Sequence, residues 1–173
     1  DPAMNVRIRP ESAADSDEIR QPLRVIIDSQ HRVKSTANIF TRAGKILIAS
    51  PVEPKQRISS EQSEISYLLA TASASNDKQQ VDLTALLQCL AQQGMNEVLV
   101  ETGATLAGAF IEQHLVDELV LFTAPTLLGS DARPAFDLPF AKMDQQIRWS
   151  WQDVRMVGND LKLVLKSQLA LKS

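Results

Sequence analysis

Nearly unbroken runs of aliphatic residues are the feature that most constrains this chain. LRVIIDS at 23–29, KILIAS at 45–50 and ISYLLATA at 65–72 hold few polar residues, and many of their apolar residues are β-branched. Continuous apolar runs of this length, as opposed to alternating ones, are typical of strands covered on both faces, as in parallel sheets. The chain is therefore predicted to fold around a mostly parallel sheet.

Two amphipathic segments are predicted to form helices that cover this sheet. The first spans 82–94, with Asp82 as N-cap and Gly94 as its C-terminal stop, and its leucines recur at helical spacing at 83, 86, 87 and 90. The second spans 104–115, and its apolar stripe consists of Leu106, Phe110, Ile111 and Leu115.

Further strands are predicted on both sides of the second helix and at the end of the chain. EVLVET at 97–102 and LVLFTAP at 119–125 would make, with that helix, a right-handed parallel crossover unit. Alternating apolar residues around Trp149 and Leu163, separated by turn residues at 158–160, predict an antiparallel hairpin at the sheet edge. The predicted class is α/β, a three-layer α/β/α fold with a mostly parallel mixed sheet and a C-terminal hairpin.

Length and composition limit what such a fold can do. The 173 residues suit a single domain over 1–173, in which the polar, proline-flanked segment 10–22 is expected to be a mobile loop. A net charge of -3 gives no reason to expect nucleic acid or an anionic membrane. One cysteine and two scattered histidines are too few ligands to predict a structural zinc site. No signal segment or membrane span is recognisable.

The strongest local candidate for a site is VLVETGATLAGAF at 98–110. A glycine turn there leads from an apolar run into a helix, whose first N–H groups lack partners and can hold an anion. The competing interpretation is an ordinary turn, with Gly108 allowing close packing. Glu101 beside the turn is either a partly buried carboxylate equipped for hydrogen bonding and proton transfer or a solvated strand end.

Two other segments are weaker candidates. Asp28 and Ser29 follow the first strand, where they either contact a ligand or cap the following turn, and capping is favoured. The loop 123–136 is long enough to be functional through its polar residues, or it covers the core edge with Leu127 and Leu128.

Four segments in this order resemble a known family. DPAMNVR at 1–7, QPLRVIIDSQHRV at 21–33, VLVETGATLAGAFIEQHLVDEL at 98–119 and LFTAPTLLGSDARPAF at 121–136 are similar to signatures of the reductase domain of the bifunctional riboflavin deaminase-reductase. The resemblance implies a dihydrofolate-reductase-like fold. It also implies NADPH-dependent reduction of a phosphorylated pyrimidine, 5-amino-6-(5-phosphoribosylamino)uracil, to its phosphoribitylamino product.

The resemblance also assigns roles to individual residues. Glu101 matches a glutamate that contacts substrate near the reacting carbon, and Asp1, Met4 and Arg7 match the substrate side, with Arg7 gripping the phosphate. Ser29 matches a cofactor contact. The segment that would hold the cofactor phosphates consists of Gly103, Ala104, Thr105, Leu106, Ala107, Gly108 and Ala109.

The resemblance carries further expectations about the whole protein. Asp1 matches the second of two successive aspartates, so the first one and an N-terminal strand and helix are expected to be missing, with weak or no turnover of the chain alone. A zinc deaminase domain is expected in the parent protein, and a cytoplasmic homodimer is expected. The alternatives are a related pyrimidine or pterin reductase, or a non-catalytic dimerisation module with a degenerate cofactor site.

Overall fold

The computed structural model describes residues 2–6, 21–71 and 80–168. Contacts divide the chain into two compact units, Asp1–Asn96 and Glu97–Ser173. The loop predicted over 10–22 lies outside the described residues except for its last two positions, which carry no regular structure. Within the described ranges, no helix combines the length and the apolar character that a membrane crossing requires.

A parallel three-stranded sheet organises the first unit. Its strands are β1 (Arg24–Ile27), β2 (Gly44–Ser50) and β3 (Ser63–Leu69), in the spatial order β1-β2-β3. The register aligns Ile26 with Ile48, and Ile48 with Tyr67. These strands coincide with the three aliphatic runs, so the parallel sheet predicted from those runs is confirmed.

The central strand β2 is buried on both of its faces. Leu47 and Ala49 belong to one apolar cluster, and Ile46 and Ile48 belong to a second one. Since side chains alternate along a strand, these two pairs point to opposite faces of the sheet. This burial on both faces explains why the sequence of β2 shows a continuous apolar run.

Helix α1 (Leu83–Gln92) supplies Leu86 and Leu90 to the first of these clusters. Its N-cap is Asp82, whose carboxylate accepts a 2.9 Å hydrogen bond from the Ala85 amide. Gly94 follows the helix with a φ of 81°, a left-handed conformation that glycine adopts without strain. The predicted helix and both of its ends are therefore confirmed.

The second unit contains a helix and an antiparallel sheet. Helix α2 (Ala104–Glu112) is followed by β4 (Glu118–Thr123), β5 (Trp149–Val157) and β6 (Asp160–Ser167), with the spatial order β4-β6-β5. β5 and β6 form the predicted hairpin, with Gly158 in its turn at a φ of 62°. Short 3-10 turns at Asn38–Thr41 and Met143–Gln145 were not predicted.

The prediction of a strand over 97–102 is wrong, and so is the prediction of a parallel crossover unit that includes it. These residues form no strand, Leu99 is 78% exposed, and β4 pairs antiparallel with β6. An apolar run signals a preference for burial, but it becomes a strand only when a neighbour pairs with its backbone. No strand in the described part of the chain pairs with this segment. The α/β class is confirmed, with the strands in two three-stranded sheets.

Candidate functional site

The turn after β1 is built around a buried carboxylate. Asp28 is only 8% exposed, and its backbone N–H donates to the carbonyl of Ala49 at 2.9 Å. Its two carboxylate oxygens accept hydrogen bonds from the backbone amides of Arg32 and Val33, each at 2.9 Å. Asp28 therefore caps the turn, which is the interpretation that the sequence favoured for it.

The same turn carries Ser29 and His31, and the exposed cations Arg32 and Lys34 follow. Ser29 is half-buried directly after Asp28. His31 is exposed and adopts a left-handed φ of 51°, which is uncommon for a residue other than glycine. The side chains of Arg32 and Lys34 are exposed in the following positions.

Met4 belongs to the first unit as well. It is half-buried, adopts a left-handed φ of 49°, and packs against the cluster that contains Phe40 and Ile46. Asp1 and Arg7, the other two residues predicted to lie on the substrate side, fall outside the described residues.

The N-terminus of α2 is open. Its N-cap is Gly103, which has an extended backbone and offers no side chain to the first turn. The carbonyl of Gly103 accepts a 3.0 Å hydrogen bond from Ala107, so intrahelical bonding begins there and leaves the amides of the first turn without helical acceptors. Apart from its two chain neighbours, no atom of the described residues would lie within 4 Å of a Cβ added to Gly103. The space beside this backbone is therefore available to a ligand.

Gly108, inside α2, allows a close contact with another part of the backbone. A Cβ at this position would lie 2.0 Å from the carbonyl oxygen of Asp137. The amide of Asp137 also donates a 3.0 Å hydrogen bond to the carbonyl of Ala104. The absent side chain thus lets α2 approach the backbone around Asp137, and the close-packing interpretation of Gly108 is confirmed.

Glu101 lies on the extended segment that leads into α2. Its side chain is exposed, as are Thr102 and Gly103. The partial burial considered for this carboxylate is wrong, because the segment that carries it is not part of a sheet. Glu101, Gly103 and Thr105 lie within five consecutive residues, and all three are exposed, with Thr105 in the first turn of α2.

The loop 123–136 does not cover the core. Leu127 is 100% exposed and Leu128 is exposed too, so the expectation that they shield the core edge is wrong. The loop is instead exposed along nearly its whole length, with a tight turn in which Ala132 donates to the carbonyl of Gly129. Its polar residues are accessible to solvent.

The predicted site residues are divided between the two units. Met4 and Ser29 lie in the first unit, whereas Glu101 and the segment Gly103–Ala109 lie in the second. Within each unit the structure brings together only residues that are near in sequence. The roles assigned to these residues remain predictions.

Sequence reasoning missed one buried charge, Arg24 at the start of β1. This side chain is 2% exposed, and its guanidinium donates to the carbonyls of Ile39 at 2.7 Å and Arg42 at 2.9 Å. Burial lowers the pKa of Arg24 from its ordinary value. The available signal was a charged residue that opens an otherwise aliphatic run.

Comparison with known sequences identifies relatives of the whole chain. The sequence profile of the RibD C-terminal domain matches residues 1–163. Riboflavin biosynthesis protein RibD of Escherichia coli (strain K12) is 34% identical over 171 residues, which are 95% of this chain and 45% of that protein. The 5-amino-6-(5-phosphoribosylamino)uracil reductase of Buchnera aphidicola subsp. Acyrthosiphon pisum is 29% identical over 147 residues, 84% of this chain and 68% of that protein.

A solved structure gives the same result. RibD of Acinetobacter baumannii, form 1, is similar with a TM-score of 0.72 and 32% sequence identity, over 95% of this chain and 42% of that one. This similarity confirms the predicted dihydrofolate-reductase-like fold. The chain spans less than half of the E. coli and A. baumannii proteins. Because the family profile covers nearly its whole length, the chain belongs to the RibD C-terminal domain family.

Proposed function

We propose that this chain is an NADPH-dependent reductase of riboflavin biosynthesis. Its substrate would be 5-amino-6-(5-phosphoribosylamino)uracil, and its product the corresponding phosphoribitylamino compound. The Buchnera relative bears the name of this activity, and the family supports it. The observation that carries the proposal is the open N-terminus of α2 at Gly103, two residues after Glu101.

The residues at the start of α2 fit the phosphates of a nicotinamide cofactor. Unpaired amides and the positive end of the helix dipole attract an anion, and the missing side chain of Gly103 lets it approach the backbone. In this proposal Gly103, Ala104, Thr105 and Leu106 hold the phosphates, with the Thr105 hydroxyl as a further donor. Gly108 contributes by fixing the helix against Asp137.

The turn after β1 is also proposed to contact the cofactor. Ser29 would contact the cofactor there, as the family resemblance implies. The exposed cations Arg32 and Lys34 follow within five residues, and positive charge at this place favours a cofactor with an additional phosphate. These charges support NADPH over NADH.

Glu101 is the proposed catalytic residue. The bound cofactor supplies the hydride, so the protein has to orient the substrate and manage charge near the reacting carbon. The carboxylate of Glu101 can accept a substrate hydrogen bond or hold a proton there. Asp1, Met4 and Arg7 are proposed to bind the substrate, with Arg7 as the partner of its phosphate.

The proposal is tested by following NADPH consumption by the full chain when the deaminated pyrimidine intermediate is added. We expect NADPH to bind and its oxidation, which should be weak for this chain alone, to depend on the substrate. Glu101→Gln should reduce turnover by about 100-fold, within the range that positioned proton-transfer groups contribute. The matched control is Glu97→Gln, an exposed glutamate on the same segment, which should leave turnover unchanged. A chain that binds no NADPH, or equal and measurable turnover of the two variants, would overturn the proposal.

The proposed reductase works in the cytoplasm as a homodimer, and in a longer parent protein it would be joined to a zinc deaminase domain. The dimer is supported by β5, the last strand of its sheet, on which Trp151 is 63% exposed. An apolar strand at a sheet edge favours association with a partner. Light scattering should give twice the mass of the chain, and a monomer at every concentration would contradict the dimer.

A further inference from the structure

A buried carboxylate in the first unit has both of its oxygens committed to the backbone of one turn. Asp28 accepts from the amides of Arg32 and Val33, at 2.9 Å in each case, and it is 8% exposed. No cation in the described part of the chain lies within ion-pair distance of it. The carboxylate is therefore balanced by backbone dipoles, and its oxygens face the protein instead of solvent.

The turn that Asp28 holds is a strained one. His31 lies inside it with a φ of 51°, a conformation that is unfavourable for a residue with a Cβ. Such a conformation persists only where the surrounding structure imposes it. Here the two hydrogen bonds to Asp28 close the loop directly over His31, because their donors are the next two residues.

We propose that Asp28 is a positioning residue for the cofactor, acting through this turn without touching the cofactor itself. The inference rests on the proposed function, in which Ser29 contacts NADPH. Fixing the backbone of residues 29–33 before binding removes an ordering cost that the ligand would otherwise have to meet. The carboxylate contributes shape, and Ser29 together with the cationic side chains contributes the contacts.

If Asp28 only shapes the turn, a substitution of Asp28 should affect the KM for NADPH and kcat differently. A turn that is loose in the free protein weakens cofactor binding but still reaches the same bound geometry. Loss of the Asp28 hydrogen bonds should therefore raise the KM for NADPH and leave kcat at saturating NADPH nearly unchanged. A residue that serves only general stability would shift the melting temperature without this split.

The test compares Asp28→Asn with Asp82→Asn. Asparagine keeps the size of the side chain but replaces one accepting oxygen with an NH₂ group, so one of the two amides at the turn loses its partner. Asp82 is the matched control, because it also accepts a hydrogen bond from a backbone amide, that of Ala85, and no site residue is predicted beside it. Dissociation constants for NADPH are measured by fluorescence, together with melting temperatures and steady-state kinetics.

We expect Asp28→Asn to weaken NADPH binding by about tenfold, the effect of one buried amide that loses its acceptor. Asp82→Asn should keep the wild-type dissociation constant and leave the melting temperature nearly unchanged, because the asparagine oxygen can still accept the bond from Ala85. Equal dissociation constants for Asp28→Asn and the wild type would overturn the inference while leaving the proposed function standing. Absence of NADPH binding by the wild type would overturn both. If Asp28→Asn does not fold, Asp28→Ser, whose hydroxyl can accept one of the two bonds, is measured against the same expectation.

Discussion

The turn after β1 and the turn before α2 are both predicted to meet the cofactor, yet they are built in opposite ways. In the first, Asp28 uses both carboxylate oxygens to bond the amides of Arg32 and Val33. In the second, Gly103 offers no side chain, and the amides at the start of α2 are left for another acceptor. The first turn is closed by the protein's own atoms, and the second is open. A closed turn can give a site its shape, whereas an open one can bind the anion.

The closed turn begins the connection between β1 and β2. Arg24 bonds to the carbonyls at the end of this connection. Arg24→Leu would remove the guanidinium donor from the buried carbonyl of Ile39 and from the part-buried carbonyls of Arg42 and Ala43. The Arg42 carbonyl would keep its bond from the Ser63 hydroxyl. We expect the free energy of unfolding to fall by about 3 kcal/mol, since buried acceptors without partners are costly. Urea denaturation measures this loss. The exposed Arg42 is the control, and Arg42→Leu should change stability by less than about 0.5 kcal/mol.

A loss below about 1 kcal/mol for Arg24→Leu would contradict this account of the connection. It would mean that the carbonyl of Ile39 finds another donor when the guanidinium is gone. Only the Asp28 hydrogen bonds would then support the claim that the turn after β1 is closed.

The helix that follows the open turn packs against the backbone of Asp137 at Gly108. In Gly108→Ala the new Cβ would lie 2.0 Å from the Asp137 carbonyl oxygen, and backbone atoms would have to move. We expect a loss of about 2 kcal/mol, typical of overpacking in a tight contact. The melting temperature measures it. Gly129→Ala is the control and should be nearly neutral, since a Cβ there would meet no atom within 4 Å in the described part of the chain beyond its two neighbours. Equal melting temperatures for the two variants would show that α2 tolerates the shift.

The parts of the fold that sequence predicted correctly are those fixed by local pattern. The aliphatic runs identify β1, β2 and β3, and leucine spacing with Asp82 and Gly94 identifies α1. The Asp28 cap is also local, because its donors are only four and five residues away. Such features follow from steric and hydrogen-bonding preferences that a short segment carries by itself.

The parts that sequence could not predict depend on distant partners. The segment 97–102 has the composition of a strand, but strand formation requires a neighbour that the pattern does not specify. The carbonyls held by Arg24 lie 15 to 19 residues away from it, and nothing in the run around β1 points to them. Gly108 could be recognised as a packing glycine, but its contact with Asp137 becomes visible only in the folded unit.

The central claim is that the start of α2 is left open for an anion, and one substitution tests it most directly. Gly103→Asp would place a carboxylate at the N-cap, where it satisfies the free amides and repels a phosphate. Gly103→Asn supplies a similar cap without the charge and serves as the control. Stability should stay equal or rise by a few tenths of a kcal/mol in both variants.

The decisive measurement is the NADPH dissociation constant of the wild type and of these two variants by fluorescence titration. We predict that Gly103→Asp weakens binding by more than about tenfold, or about 1.4 kcal/mol, and that Gly103→Asn weakens it less. A folded Gly103→Asp variant that binds NADPH as tightly as the wild type would contradict the claim that the cofactor phosphates bind at the N-terminus of α2.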